Sequence, residues 1–260
     1  MSLKVQVRRD GPLLMIAVDR PEKANAYDAE VIEGLALAYA RLSDDDALRV
    51  AVLHAHGRHF TGGLDLASLA PRLAAGDTSI IPAEGRDPWG LWGEPASKPV
   101  VVAVQGRCFT AGLELVLNAD LCVAADDAVF GQQEVSRGII ALGGATTRLP
   151  QRVGWGRAMR HLLTGDLFDA AEALRMGVVQ EVVPAGRELE RAVDLARRIA
   201  EQAPLAVQAT LAEARAAIAQ PDEDAAARLR EAGTRLLASA DAQEGISALI
   251  ERRPPVFTGA

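Results

Sequence analysis

Cysteine is nearly absent: two residues in 260, Cys108 and Cys122. They form no CxxC pair and cannot staple a scaffold, so they read as packing residues of a cytoplasmic protein. Long apolar runs are missing as well. Nothing reaches the length of a membrane span, and the opening MSLKVQVRRD lacks the apolar centre of a signal peptide, so no membrane partner is expected. Positive charge is scarce: 28 Lys and Arg stand against 35 Asp and Glu, a net charge of −7, and no basic run interleaves with aromatics. That balance argues against a nucleic-acid partner and requires any phosphate group to be gripped locally. The chain has no GxSxG, no HExxH and no GxxxxGK[ST]. Gly154, Trp155 and Gly156 lack the third glycine of a dinucleotide fingerprint and read as a turn between helices. His54 and His56 fall on one strand face with only His59 nearby, too few ligands for zinc, so no metal is expected.

What is present is an ordinary globular composition, 49% hydrophobic and 24% charged, long enough to bury a large core. Residues 4–8 alternate, Asp10-Gly11-Pro12 is a turn, and 13–18 is a second strand, which predicts an opening hairpin. Asp28 can cap a helix whose Val31, Leu35, Ala38 and Leu42 share one face. Short apolar strands near 50–54, 100–104, 121–125 and 178–183 alternate with helical stretches, which predicts an α/β fold with parallel pairing. Residues 76–98 carry so much Gly and Pro that they read as a long surface loop, in which Trp89 and Trp92 need something to pack against. Beyond Gly186 every segment is amphipathic and helical, with Pro204 and Pro221 marking helix starts. The expected division is a core over residues 1–200 and a helical region over 201–260, either folded back or assembling copies of the chain.

The stretch at 109–134, FTAGLELVLNADLCVAADDAVFGQQE, organises the rest. A small-residue turn opens an apolar helix, which leaves backbone N–H groups free for a negative oxygen. Two carboxylates, Glu114 and Glu134, bracket the unit. Gly62-Gly63 breaks the chain just before Asp65, which suits a helix cap.

Four segments in order, RPEKANA (20–26), FTGGLDL (60–66), GRCFTAGLELVLNAD (106–120) and FGQQE (130–134) followed by GGATTRLP, together with the closing EGISALIERRPPVF, resemble the enoyl-CoA hydratase/isomerase or crotonase superfamily. The resemblance implies a crotonase-like spiral of ββα units with a C-terminal all-helical region, and a homo-oligomer, a trimer or a dimer of trimers. It implies an acyl-CoA thioester as ligand, with coenzyme A part of the substrate and no separate cofactor. By position it assigns the oxyanion-hole amides to Leu64 and Ala111. The turn there is unusual, because Thr110 and Ala111 stand where the family frequently has glycine.

The same resemblance assigns Glu114 to water activation and Glu134 to proton delivery at C2, the acid and base that hydration of a 2-enoyl thioester needs. Lys23, Ala24, Gly62, Leu64, Asp65 and Leu66 match the coenzyme A path, with Asp65 also a cap and brace and Arg20 either a ligand or a structural residue. Trp89, Trp92 and Leu142 are the expected acyl pocket. One departure stands out: Ala141-Leu142 replace a Pro-Gly pair whose glycine amide helps hold the water. The expected activity is enoyl-CoA hydratase; a Δ3-Δ2 enoyl-CoA isomerase or an idle acyl-CoA-binding relative are the alternatives.

Overall fold

The first two strands, β1 (Val5–Asp10) and β2 (Leu13–Val18), form the expected antiparallel hairpin, with Gly11 at φ +59 in its turn. The structure, a computed structural model, describes residues 4–74, 81–219, 231, 235, 238–251 and 253–260. From β2 onward each strand of the main sheet runs parallel to its neighbour: β3 (Val50–Ala55), β4 (Val100–Val104), β6 (Leu121–Ala125) and β9 (Glu181–Val183). The resulting order is β1-β2-β3-β4-β6-β9.

Side chains of this sheet alternate between two cores, as the period of two in a strand requires. Leu14, Ile16, Val18, Leu53, Val100, Val102 and Val104 face one side, where α1 (Ala29–Asp44) and α3 (Ala111–Asn118) pack. Leu13, Met15, Val50, Val52, Val101, Ala103 and Val123 face the other, where α7 (Glu188–Ala200) lays down Ala192, Ala196 and Ala200. Small residues let that helix sit close on the strands. Each fully buried Leu or Val contributes about 1.5–3 kcal/mol relative to exposure. Asp28 caps α1 as expected, its carboxylate accepting from Val31 N at 3.0 Å.

A second sheet, of three strands, was not apparent from the pattern: β5 (Arg107–Phe109), β7 (Val129–Gly131) and β8 (Phe168–Asp169). Strands of two or three residues are too short for a period to register. β5 and β7 pair in parallel, and the bridge between Thr61 and Cys108 brings the 60–64 segment alongside. Three parallel strands are thus each followed by a short extended segment and then a helix: β3, the bridge at Thr61 and α2 (Leu66–Ala74); β4, β5 and α3; β6, β7 and, beyond Gly144, α4 (Ala145–Val153). This is the crotonase-like ββα spiral.

Over its described part the 76–98 stretch is a loop, as expected, with exposed residues at 83–84 and 91–94 around a buried centre. Asp87, Trp89, Ala96 and Lys98 are buried. The reason is local: the Asp87 carboxylate accepts from the backbone N–H groups of Trp89, Leu91 and Trp92 at 2.7–2.8 Å, supplying the acceptors a strand would otherwise provide. Residues 178–183 also differ, because only 181–183 pair as strand while Val178 and Val179 are buried in the turn after α6 (Ala170–Met176). Gly154, at φ +83, separates α4 from α5 (Trp155–Thr164) as expected.

In the tail, α8 (Pro204–Ala219) starts at the expected proline. Arg215 ties α8 to the body through Asp120 at 2.9 Å and the Ala96 carbonyl at 2.6 Å. Arg49 donates to the carbonyls of Ala200 and Phe257, so the end of α7 and the C-terminal strand of chain after α9 (Ala240–Glu251) fold back on their own protein. The helix start expected at Pro221 lies outside the described residues. No helix among the described residues is long and apolar enough to cross a membrane.

Candidate active site

Three turns meet where the short sheet ends. The first carries Gly62-Gly63-Leu64, the second Thr110-Ala111, the third Glu134. The first two are locked together by glycines that have no room for a side chain. A β-carbon on Gly63, which sits at φ +98, would lie 1.9 Å from Thr110 Oγ1, and one on Gly112 would lie 2.1 Å from the Thr61 methyl. The turns before α2 and at the start of α3 are therefore in direct contact. Among the described residues, neither Leu64 N–H nor Ala111 N–H donates a hydrogen bond. Two unpartnered amides on abutting turns, each near a helix N-terminus, make a site for a negative oxygen.

Glu114 lies on the first turn of α3 and is 3% exposed. Its Oε1 accepts from Gly143 N at 2.8 Å and Ala145 N at 3.1 Å. Burial pushes its pKa up to about 7; the two amides oppose the rise and the nearby Glu134 charge adds to it. Glu134 opens a 3₁₀ turn (Glu134–Arg137) and is 8% exposed, with its pKa also raised by burial. Gln132 Nε2 donates to Glu134 Oε1 at 2.8 Å, while Glu134 Oε2 is enclosed with no partner. Glu114 thus feels the Glu134 charge inside the protein.

The surrounding wall comes from the buried loop. Trp89 donates its indole N–H to the Ala111 carbonyl at 2.9 Å, and a β-carbon on Gly143 would meet both Trp89 Cδ1 at 2.8 Å and Glu114 Oε2 at 2.6 Å. Trp92 donates to the Leu142 carbonyl at 3.0 Å, yet it is 68% exposed and Leu142 is 51% exposed. Of the three expected acyl-pocket residues, Trp89 lies, like Glu114, against Gly143, whereas Trp92 and Leu142 are exposed and bonded to one another. Arg148, from α4, donates to the carbonyls of Gly143 and Gly90 and so fastens the 143 turn to the tryptophan loop.

The expected coenzyme A segment is welded to the Gly62 turn. Gly62 N donates to the Ala24 carbonyl at 2.8 Å, so that amide is already engaged. Ala24 adopts φ +49, and Lys23 and Leu66 are exposed. Asp65 accepts from Ser68 N and pairs with Arg20 at 2.9 Å, with its pKa held down chiefly by that arginine. Arg20 reaches Asp28 at 3.4 Å as well, so it braces this loop against both aspartates.

Sequence reasoning overlooked Asn25, fully buried at φ +53, whose Nδ2 donates to the carbonyls of His56 and His59. An asparagine between two alanines in a loop was its only signal. It also passed over Gly143, Ala145, Gln132 and Arg148, which act through backbone groups or through another side chain and so leave no pattern. His54 and His56 meet edge to face at 5.5 Å, and no group of three candidate metal ligands occurs among the described residues.

The family profile described as Enoyl-CoA hydratase/isomerase matches residues 8–260. Enoyl-CoA hydratase EchA19 of Mycobacterium tuberculosis is 34% identical over 253 residues, covering 96% of this chain and 95% of the relative. Carnitinyl-CoA dehydratase of Salmonella typhimurium is 36% identical over 268 residues, covering both chains in full. Among solved structures, a "probable enoyl-CoA hydratase/isomerase" from Mycobacterium abscessus superposes with a TM-score of 0.96 at 45% identity, covering all of both chains. An enoyl-CoA hydratase from Mycobacterium tuberculosis gives 0.90 at 36%, over 99% of each. With its ββα spiral, its paired amides and matches along its whole length, the chain belongs to the enoyl-CoA hydratase/isomerase family.

Proposed function

We propose that the protein is an enoyl-CoA hydratase, adding water across the 2,3 double bond of a 2-enoyl-CoA thioester and catalysing the reverse dehydration. The observation that carries this reading is the buried pair, Glu114 and Glu134, beside two amides with no acceptor. Leu64 N–H and Ala111 N–H hold the thioester oxygen and stabilise the charge that develops on it as C3 is attacked. Glu114, with a pKa near 7, takes a proton from water at working pH. Glu134, whose pKa burial also raises and whose Oε2 has no partner, delivers the proton to C2 from its carboxylic-acid form. Dehydration exchanges the two roles. The Leu142 amide, which no described acceptor takes, is placed to hold the water despite the loss of the Pro-Gly pair.

Lys23 and the Ala24 and Leu66 backbone lie along the coenzyme A path, with Asp65 as its brace. Trp89 packs behind the acyl group, and Trp92 and Leu142 flank the mouth. The exposed apolar positions Leu205, Ile246 and Val256 suit assembly into a homotrimer or a dimer of trimers, and the two free buried thiols suit a cytoplasmic setting.

The test is turnover of crotonyl-CoA and of a 3-enoyl-CoA by wild type, Glu114→Gln and Glu134→Gln. Hydration of crotonyl-CoA that falls about 10²–10⁴-fold in each variant is the expected result. Faster turnover of the 3-enoyl thioester, sensitive to one substitution alone, would identify an isomerase instead. Binding without turnover of either substrate would identify an idle relative.

A further inference from the structure

Thr110 has φ +50 and ψ −115, a backbone conformation that glycine enters freely and a β-branched residue enters only under strain. Nothing in the fold rewards threonine there. Its hydroxyl makes no hydrogen bond to any described residue, and it does not cap α3, the helix it precedes. The residue is 8% exposed, yet its oxygen is not one of the sealed, unpartnered side-chain oxygens, which belong to Tyr27, Gln132 and Glu134. What little surface Thr110 keeps therefore includes the hydroxyl. That oxygen leans on Gly63, whose notional β-carbon it would meet at 1.9 Å, and Gly63 immediately precedes the Leu64 amide. Thr110 itself immediately precedes the Ala111 amide. Three donors, two N–H and one O–H, thus lie on the two abutting turns and have no acceptor among the described residues.

We infer that the Thr110 hydroxyl is a third donor to the thioester carbonyl oxygen, alongside the amides of Leu64 and Ala111. The inference rests on the acyl-thioester reading of the site and deepens it. No proton is transferred; the hydroxyl hydrogen-bonds the oxygen more strongly as charge gathers on it during attack at C3. Strain retained at a functional turn is where such a side chain is expected. A hydroxyl that rotates about one bond also adapts to the movement of that oxygen between the planar enoyl thioester and the enolate.

The experiment compares wild type with Thr110→Val, Thr110→Ser and Thr110→Ala. Two readouts are used: steady-state hydration of crotonyl-CoA, and the absorption of bound 4-(dimethylamino)cinnamoyl-CoA, which moves to the red when its carbonyl is polarised. The expected result is a kcat lower by about tenfold or more in the Val and Ala variants, KM within about threefold, and a reduced red shift. The Ser variant should stay within about threefold of wild type and keep the shift. The Ala variant serves where valine does not fold. Wild-type kcat and red shift in Val and Ala, with Glu114→Gln inactive, would overturn the hydroxyl's role and leave the hydratase reading standing. A Ser variant as impaired as Val would overturn it as well, assigning the effect to the methyl group. A wild-type protein that neither hydrates crotonyl-CoA nor shifts the bound chromophore would overturn both.

Discussion

The two sheets divide the labour of this protein. The central strands of the large sheet are buried on both faces, their side chains alternating between two apolar cores, and none of them supplies a reacting group in the proposed reaction. The small sheet has strands of two or three residues, yet the turns at its end hold the free amides and both buried glutamates. A period of two builds a rigid slab cheaply, because in the central strands nearly every residue is buried whichever way it points. Chemistry needs donors without acceptors and carboxyls without water, which a regular ladder would satisfy and so remove. The site is therefore built where ladders stop, and the slab below holds those turns in place.

Four substitutions would break or sharpen that division. The largest effect is expected at Gly63→Ala, where positive φ and the 1.9 Å approach to Thr110 Oγ1 force the two amide turns apart. kcat/KM should fall about 10²–10³-fold, the loss of one oxyanion donor, in a steady-state assay. Leu53→Ala, in the slab, should instead cost about 2–5 kcal/mol of stability in urea unfolding while kcat per folded molecule stays within about threefold. A large kcat loss there would mean the slab does more than support.

The third substitution exploits pH. Glu114 has a folded-state pKa near 7 against an ordinary 4.5, so between those values the native state binds more protons than the unfolded one. Stability contributed by the protonated form is then lost as pH rises through about 7. Glu114→Gln, which keeps an acceptor for Gly143 N and Ala145 N, should be more stable than wild type at pH 8 by on the order of 3 kcal/mol. The gain should vanish at pH 4, read from melting temperatures across the range. The smallest effect is expected at Asp65→Ala: about 0.5–2 kcal/mol from the lost cap, with KM for acyl-CoA raised and kcat unchanged. A collapse in kcat would make Asp65 a catalyst and not a brace.

Legibility in the sequence followed the same division. The hairpin, the capped helix at Asp28 and the parallel strands at 50–54, 100–104 and 121–125 announce themselves through period and punctuation. The short strands do not, since Arg107–Phe109 has one buried residue among three and no alternation to detect. Glu114, Glu134, Leu64 and Ala111 were reachable through resemblance and not through pattern, because a free amide depends on what the next turn leaves unpaired. The buried centre of the loop around Trp89 was hidden for the opposite reason. Its Gly and Pro content signalled a surface, and the single Asp87 carboxylate that satisfies three of its amides carries no mark in the sequence.

The proposed pairing of Glu114 and Glu134 rests on two buried carboxyls, with the Glu134 charge adding to the proton affinity of Glu114. A ¹³C carboxyl NMR titration, with the Glu114 signal assigned by its absence in Glu114→Gln, measures this directly. The account predicts a Glu114 pKa near 7 in wild type that falls in Glu134→Gln while staying above the ordinary 4.5. A Glu114 that titrates at 4.5, or one unmoved by the loss of the Glu134 charge, would contradict it.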